Sequence, residues 1–334
     1  MQVIHDGSRV VAVIGTGSAG LRHLTALKRI GVVPVAIPKR HERQADLQQM
    51  GYATAATLTD AFKSWTLSSC IIASDTSRHL ADGLTALSSG LHTLVEKPLC
   101  ADGAQAKELR QRARAGEAGL WVACVMRIAQ SLEIARSWLP TLGALTSVRI
   151  ECQSYLPDWR PARSYLESYS ARREEGGVLR DVIHEIDYAG WLFGWPTSLQ
   201  ARLHNSGKLG IEAEEAADLL WQTAAGAIVS MRLDYVTRPA RRRMTVCGER
   251  GTLHWDAIRQ SVRLELVDGK TEERTAGQSR EEMFTAQAQA FLRCAAGDID
   301  DRLATGQEGA NALAVCDAAR KADLSRHEEP VEYA

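Results

Sequence analysis

The sequence has no CxxC pair and no Cys/His cluster at zinc-binding spacing, so no metal site is expected. Its seven cysteines, at positions 70, 100, 124, 152, 247, 294 and 316, are dispersed and odd in number. That pattern reads as buried thiols in a reducing compartment. No charged segment followed by an apolar one opens the chain, and the first apolar run, Val10 to Ile14, is short and leads into glycines. Nothing approaches the roughly 18 apolar residues that span a bilayer. Charge of one sign is lacking too: 40 Lys and Arg stand against 41 Asp and Glu, a formal net charge of −1. A near-neutral chain gives no general reason to bind nucleic acid or a membrane surface. The run Arg241-Arg242-Arg243 reads as a solvated strand edge. Internal repeats and low-complexity stretches are also missing. These absences lead to the expectation of a cytoplasmic protein whose substrate is a small molecule.

What is present suits a two-domain globular chain: 334 residues, 45% hydrophobic and 24% charged. The first 125 residues alternate between apolar runs and helical patterns. Strands are expected at Arg9–Ile14, Val32–Ile37, Cys70–Ala73, His92–Val95 and Leu120–Val125. Helices are expected at Ser18–Ile30, Arg43–Met50 (stopped by Gly51), Arg78–Ser88 and Ala104–Ala115. Such alternation predicts a doubly wound parallel α/β sheet of the Rossmann type over residues 1–125. From about residue 140 the pattern changes. A long strand, Ala144–Ser154, and one helix, Gly177–Phe193, precede strand-like runs joined by short turns, such as Ala227–Asp234, Arg243–Cys247 and Gly251–Asp256. Residues 126–334 are therefore expected to form an α+β domain with an open-faced, largely antiparallel sheet. Lys270 to Arg280 reads as a surface loop, and the final helices could pack back on the first domain.

Three patterns carry chemistry. The first is Gly15-Thr16-Gly17-Ser18-Ala19-Gly20, spaced GxGxxG between an apolar strand and an amphipathic helix. Gly15 permits the tight turn, Gly17 lets the backbone approach a pyrophosphate, and Gly20 permits close helix–strand packing. A diphosphate would lie on the free N–H groups at the helix N-terminus. Where an NAD site usually has a carboxylate for the ribose 2′-hydroxyl, this chain reads Ile37-Pro38-Lys39-Arg40-His41. Cationic donors suit a 2′-phosphate, so NADP is favoured over NAD, with Lys39 and Arg40 as its ligands.

The second pattern, Glu96-Lys97-Pro98, follows a buried strand directly. Ligands of doubly wound sheets bind at the carboxyl ends of strands. A lysine there can bond a substrate hydroxyl and help move its proton. Alone, Lys97 reads equally as a surface lysine. Pro98 fixes the chain behind it and is a candidate cis-proline. The third pattern is the Gly177–Phe193 helix, whose Asp181, His184 and Tyr188 recur at helical steps and so would share one face. An imidazole titrates near neutrality and can take or give an alcohol proton, and Asp181 could orient it. A satisfied polar face is the plainer alternative. Between these elements the segment Ser154 to Arg173 is rich in Tyr, Trp and Arg, which suit sugar rings and acidic groups. Arg160 and Tyr165 are its candidate substrate ligands, alongside Lys97, His184 and Tyr188.

Taken in order, the glycine motif, Glu96-Lys97-Pro98 and a later His-x-x-Asp helix (His184, Asp187) resemble the family of glucose–fructose oxidoreductase, inositol dehydrogenase and MocA, over nearly the whole chain. The resemblance implies an N-terminal Rossmann domain, a C-terminal open-faced sheet, hydride transfer at a nicotinamide, and homodimers or homotetramers. It places Ser74, Thr76 and His79, Glu96 and Lys97, and Arg127 near the cofactor, and makes Lys97, His184 and Asp181 catalytic. In one respect the chain departs from the pattern: Asp181 stands three residues before His184, not four, and Arg180 occupies the fourth place. The aromatic segment is similar to that of relatives acting on acidic or amino sugars and nucleotide sugars. Two other readings remain open: a cofactor-binding regulator that has lost its chemistry, and a reductase of imines or conjugated double bonds.

Overall fold

The computed structural model describes residues 9–159, 161, 164–173 and 176–333. The chain divides into two compact units, Met1–Ile128 with Ser279–Ala310, and Ala129–Gln278 with Asn311–Ala334.

In the first unit, β1 (Val10–Ile14), α1 (Ser18–Arg29), β2 (Val33–Ile37), α2 (Glu42–Gln49), β3 (Ala53–Thr54), α3 (Leu58–Ser64), β4 (Ser69–Ile72), α4 (His79–Ser88), β5 (His92–Val95), α5 (Gly103–Arg114) and β6 (Leu120–Val122) follow one another. The central strands are continuous apolar runs, such as the fully buried Val-Val-Ala-Val-Ile of β1, as expected where helices cover both faces of a sheet. Helices start where a side chain accepts a first-turn N–H: Thr57 from Asp60 for α3, Asp102 from Gln105 for α5. In this seven-stranded sheet six strands run β3-β2-β1-β4-β5-β6, all parallel, and a short antiparallel strand, Ala304–Thr305, pairs with the β6 edge. This is the doubly wound order whose switch point lies between β1 and β4, at the glycine motif.

The second unit opens with α6 (Gln130–Trp138), β7 (Leu145–Tyr155), α7 (Val178–Asp181) and α8 (His184–Phe193). It continues through β8 (Ser198–His204), β9 (Ala216–Gln222), β10 (Ile228–Asp234), β11 (Val236–Gly248), β12 (Gly251–Asp256), β13 (Ser261–Leu266) and β14 (Thr271–Thr275). The last elements are α9 (Arg280–Cys294), β15 (Ala304–Thr305), α10 (Gly306–Ser325) and β16 (Glu329–Pro330). Of these, α9, β15 and the first residues of α10 belong to the first unit, where Phe284, Ala288 and Phe291 join Leu24 and Leu27 of α1 in the core. The nine-stranded sheet runs β14-β13-β12-β11-β7-β10-β9-β8-β16 and is antiparallel except for the β7–β10 pair. Its strands alternate: Leu219 and Trp221 are buried while Asp218, Leu220 and Gln222 are exposed. One face is therefore open. Among the described residues no helix is long and apolar enough to cross a membrane.

Several expectations are corrected. Gly177–Phe193 is not one helix. It breaks at Val182 (φ −103°, ψ 34°), between α7 and α8, where two β-branched residues meet. The segment Lys270–Arg280 holds an edge strand, β14, exposed at every residue; charged on both faces, it carries no apolar alternation to betray it. The strand expected to reach Val125 ends at Val122, and a 3₁₀ turn covers Val125–Ile128. Of the three consecutive arginines, Arg242 points inward onto Glu185, with contacts of 2.6 and 3.1 Å.

Candidate active site

The glycine motif forms a cradle in the first unit. Gly15 has φ +89°, and a Cβ there would stand 2.4 Å from the Ser74 nitrogen. A Cβ on Gly20 would lie 2.0 Å from the Gly15 carbonyl oxygen, so helix and turn touch backbone to backbone. Gly17 differs: a Cβ there meets nothing within 4 Å. Gly17 is also the N-cap of α1, with no side-chain cap and no acidic residue in the first turn. Uncapped N–H groups beside open space fit a diphosphate. Thr16 is nearly buried, Gly17 and Ser18 are exposed, and Ala19 is half-buried.

Beyond β2, Lys39 and Arg40 are both exposed. The Lys39 ammonium donates to Asp82 Oδ1 at 2.7 Å. Ser74 Oγ donates to the other Asp82 oxygen at 2.7 Å, and Arg78 lies 3.5 Å away. Asp82 is a site residue that sequence reasoning missed. It lies in the first turn of α4, remote in sequence from the lysine it meets.

At the end of β5, Glu96 accepts from His23 Nε2 at 2.8 Å and from the Lys97 backbone N–H at 3.2 Å. Burial alone would raise the Glu96 carboxyl; the His23 hydrogen bond and the positive groups around it hold it below the usual carboxylate range. His23, fully buried on α1, was also missed; its position three residues after Gly20 was the available signal. Lys97 is half-buried, and its bond to Pro98 is cis. His79 is buried, with Nδ1 2.9 Å from the Pro98 carbonyl oxygen and Nε2 3.0 Å from that of Ser74. It thereby ties the loop after β4 to the loop that carries Lys97. Burial lowers the His79 pKa against the opposing pull of those carbonyls. Thr76 is buried in the turn leading into α4. Arg127 has no exposed surface and pairs with Glu308 at 2.6 Å.

In the second unit, Asp181 ends α7 and is buried. Its carboxylate accepts from Tyr169 at 2.5 Å, Ser170 at 2.6 Å and Tyr235 at 3.1 Å. Burial and the Asp181 charge push the Tyr235 phenol well above its ordinary range. Arg180 is buried with its charge 3.6 Å from Asp317. His184 starts α8 and is half-buried. Because of the break at Val182, Asp181 does not share a helix with His184 and Tyr188. Tyr188 is fully buried and meets Trp255 edge-on, ring centroids 5.4 Å apart. Tyr165 is half-buried and donates to the Leu209 carbonyl at 3.1 Å. Arg160 lies outside the described residues.

Comparison with known proteins agrees with both units. Residues 9–124 match the model described as "Oxidoreductase family, NAD-binding Rossmann fold". Residues 140–254 match the GFO/IDH/MocA C-terminal domain. No curated protein matches the sequence. Among solved structures, levoglucosan dehydrogenase in complex with NADH and levoglucosan superposes with a TM-score of 0.87 at 16% identity, over 98% of this chain and 100% of that one. The WlbA dehydrogenase from Bordetella pertussis, in complex with NADH and UDP-GlcNAcA, gives 0.83 at 18% identity, over 98% and 99%. UDP-N-acetylglucosamine 3-dehydrogenase GnnA from Acidithiobacillus ferrooxidans gives 0.79 at 19%, over 95% and 98%. The two family models together span more than half of the chain, and the protein belongs to the GFO/IDH/MocA family of NAD-binding oxidoreductases.

Proposed function

We propose that this oxidoreductase interconverts a CH–OH group and the matching ketone of a sugar-like or cyclitol substrate, with NADP(H) favoured and NAD(H) accepted. The observation that carries the reading is the open, uncapped α1 N-terminus at the β1–β4 switch point, on the same strand-end surface as Lys97. When bound, the nicotinamide supplies or receives the hydride. The preference for NADP(H) draws on the exposed Arg40 and Lys39 and on the missing carboxylate after β2. Lys97 is assigned the reacting hydroxyl, which it would bond and polarise. His184 is assigned the proton that leaves or joins that oxygen. Asp181, with its three hydroxyl donors, is a positioning residue for the end of α7 and the turn into His184.

An acidic, amino or nucleotide sugar is the favoured substrate class. Tyr165 and Arg160 would meet its ring and acidic group, and dehydrogenases of uronic and amino nucleotide sugars lie among the structural neighbours. Self-association into a dimer or tetramer through the open sheet face, where Leu220 and Ile228 are exposed, belongs to the same reading. A monomer by sedimentation would count against it. The seven free thiols, six of them buried, favour a reducing cytoplasm.

The test is steady-state turnover of NADPH with a panel of keto sugars. Lys97→Met and His184→Ala each lower kcat by about 10²–10⁴-fold, with NADPH affinity changed by under about tenfold. Nucleotide binding without turnover of any member would favour the regulator instead.

A further inference from the structure

We propose that Asp82 sets the balance between NADP and NAD by competing with a 2′-phosphate for Lys39. The inference rests on the cofactor reading above and names a residue which that reading does not use. All of its observations lie within the first unit. In a doubly wound sheet the residues just past β2 meet the adenosine ribose. Lys39, two residues beyond β2, holds Asp82 at 2.7 Å. Ser74 Oγ anchors the second carboxylate oxygen at 2.7 Å, and Arg78 Nη2 stands 3.5 Å from the first. The Asp82 side chain is only 10% exposed, against 32% for Lys39 and 51% for Arg78. A fixed carboxylate thus sits among donors, while the two cations keep surface for a ligand.

The consequence is electrostatic. A phosphate monoester brings between one and two negative charges at neutral pH. At Lys39 it meets an ammonium whose charge is already compensated and a carboxylate bonded to the same donor. If Lys39 turns to the phosphate, a largely buried carboxylate loses its main partner, and the two anions stand close together. A ribose 2′-hydroxyl makes no such demand, because it carries no charge and can share the existing pair. Asp82 therefore weakens NADP binding and spares NAD binding. Arg40, exposed beside Lys39, retains a preference for phosphate that Asp82 restrains.

The experiment measures dissociation constants of NADPH and NADH, by fluorescence titration of the full-length protein, for the parent, Asp82→Asn, Lys39→Met and the double variant. Asparagine keeps the shape of aspartate and can still accept from Ser74. Asp82→Asn is expected to tighten NADPH on the order of tenfold, with NADH changed by less than about threefold. Lys39→Met weakens NADPH, and Asp82→Asn added to it restores little, because the contested donor is gone. High salt shrinks the gain. Equal changes for both nucleotides, a gain that survives without Lys39, or loss of both affinities in Asp82→Asn would each overturn the proposal. Parent NADH binding is read first. Failure of the parent to bind either nucleotide would overturn the cofactor reading itself, an outcome distinct from an unchanged NADPH/NADH ratio.

Discussion

Glu96 and Lys97 are adjacent in sequence, and the Glu96 carboxylate is spent within the fold. Glu96 turns back to His23 and to the Lys97 backbone N–H, so the carboxylate before the lysine acts as a clamp on the strand end. Because its pKa is depressed in the folded protein, the stability it contributes is present above its ordinary value. That stability is lost as pH falls through the depressed one. Glu96→Gln should therefore lower stability near neutrality by roughly 1–3 kcal/mol. The gap to the parent should narrow below about pH 4.3, and thermal melts across pH read it directly. The motif residues were legible because glycine spacing and the strand-end position speak through local sequence. Their partners His23 and Asp82 were not, because each meets a residue more than 40 positions away. The Trp255 ring over Tyr188 was not legible for a related reason: helical spacing says which residues share a face, and leaves open what covers it.

Among the elements, the turn from β1 into α1 shows how one motif combines two physical roles. Gly20 is needed by the fold, since any Cβ there collides with the Gly15 carbonyl. Gly17 is not, since a Cβ there meets open space. Gly20→Ala should cost about 1–3 kcal/mol of stability. Gly17→Ala should cost under about 1 kcal/mol yet weaken nucleotide binding. Melting temperatures with and without NADPH separate the two, and similar losses of stability for both would contradict this division of roles. The parallel strands were legible as unbroken apolar runs. The break between α7 and α8 was not, because Val182 and Ile183 carry no glycine or proline stop signal. The short α3 and α6 went unnoticed between stronger signals, and β14 lacks the alternation that marks a half-buried strand.

For the molecule as a whole, the change from alternating strand and helix to an antiparallel meander near residue 140 was visible in the sequence, and it gives the second unit its one-sided sheet. Beneath that sheet Glu185 has no exposed surface and is met by Arg242 alone of the three consecutive arginines. Arg242→Met would strand the buried carboxylate at a cost of about 3–5 kcal/mol. Arg243→Met, which removes a half-exposed pair with Asp256, should change stability by under about 1 kcal/mol. Chemical denaturation of the two variants side by side checks the contrast. The substrate is the least legible property, because it depends on side chains of the Ser154–Arg173 segment whose spacing follows no period.

Hydride transfer to a carbonyl carbon is read out with NADPH deuterated at the transferring position of the nicotinamide. Incubated with the keto sugar that turns over best, the protein should yield an alcohol carrying one deuterium at the carbinol carbon, and His184→Ala should slow its appearance by about 10²-fold or more. Turnover that leaves that carbon unlabelled, or bound NADPH that reduces no member of the panel, would contradict the account.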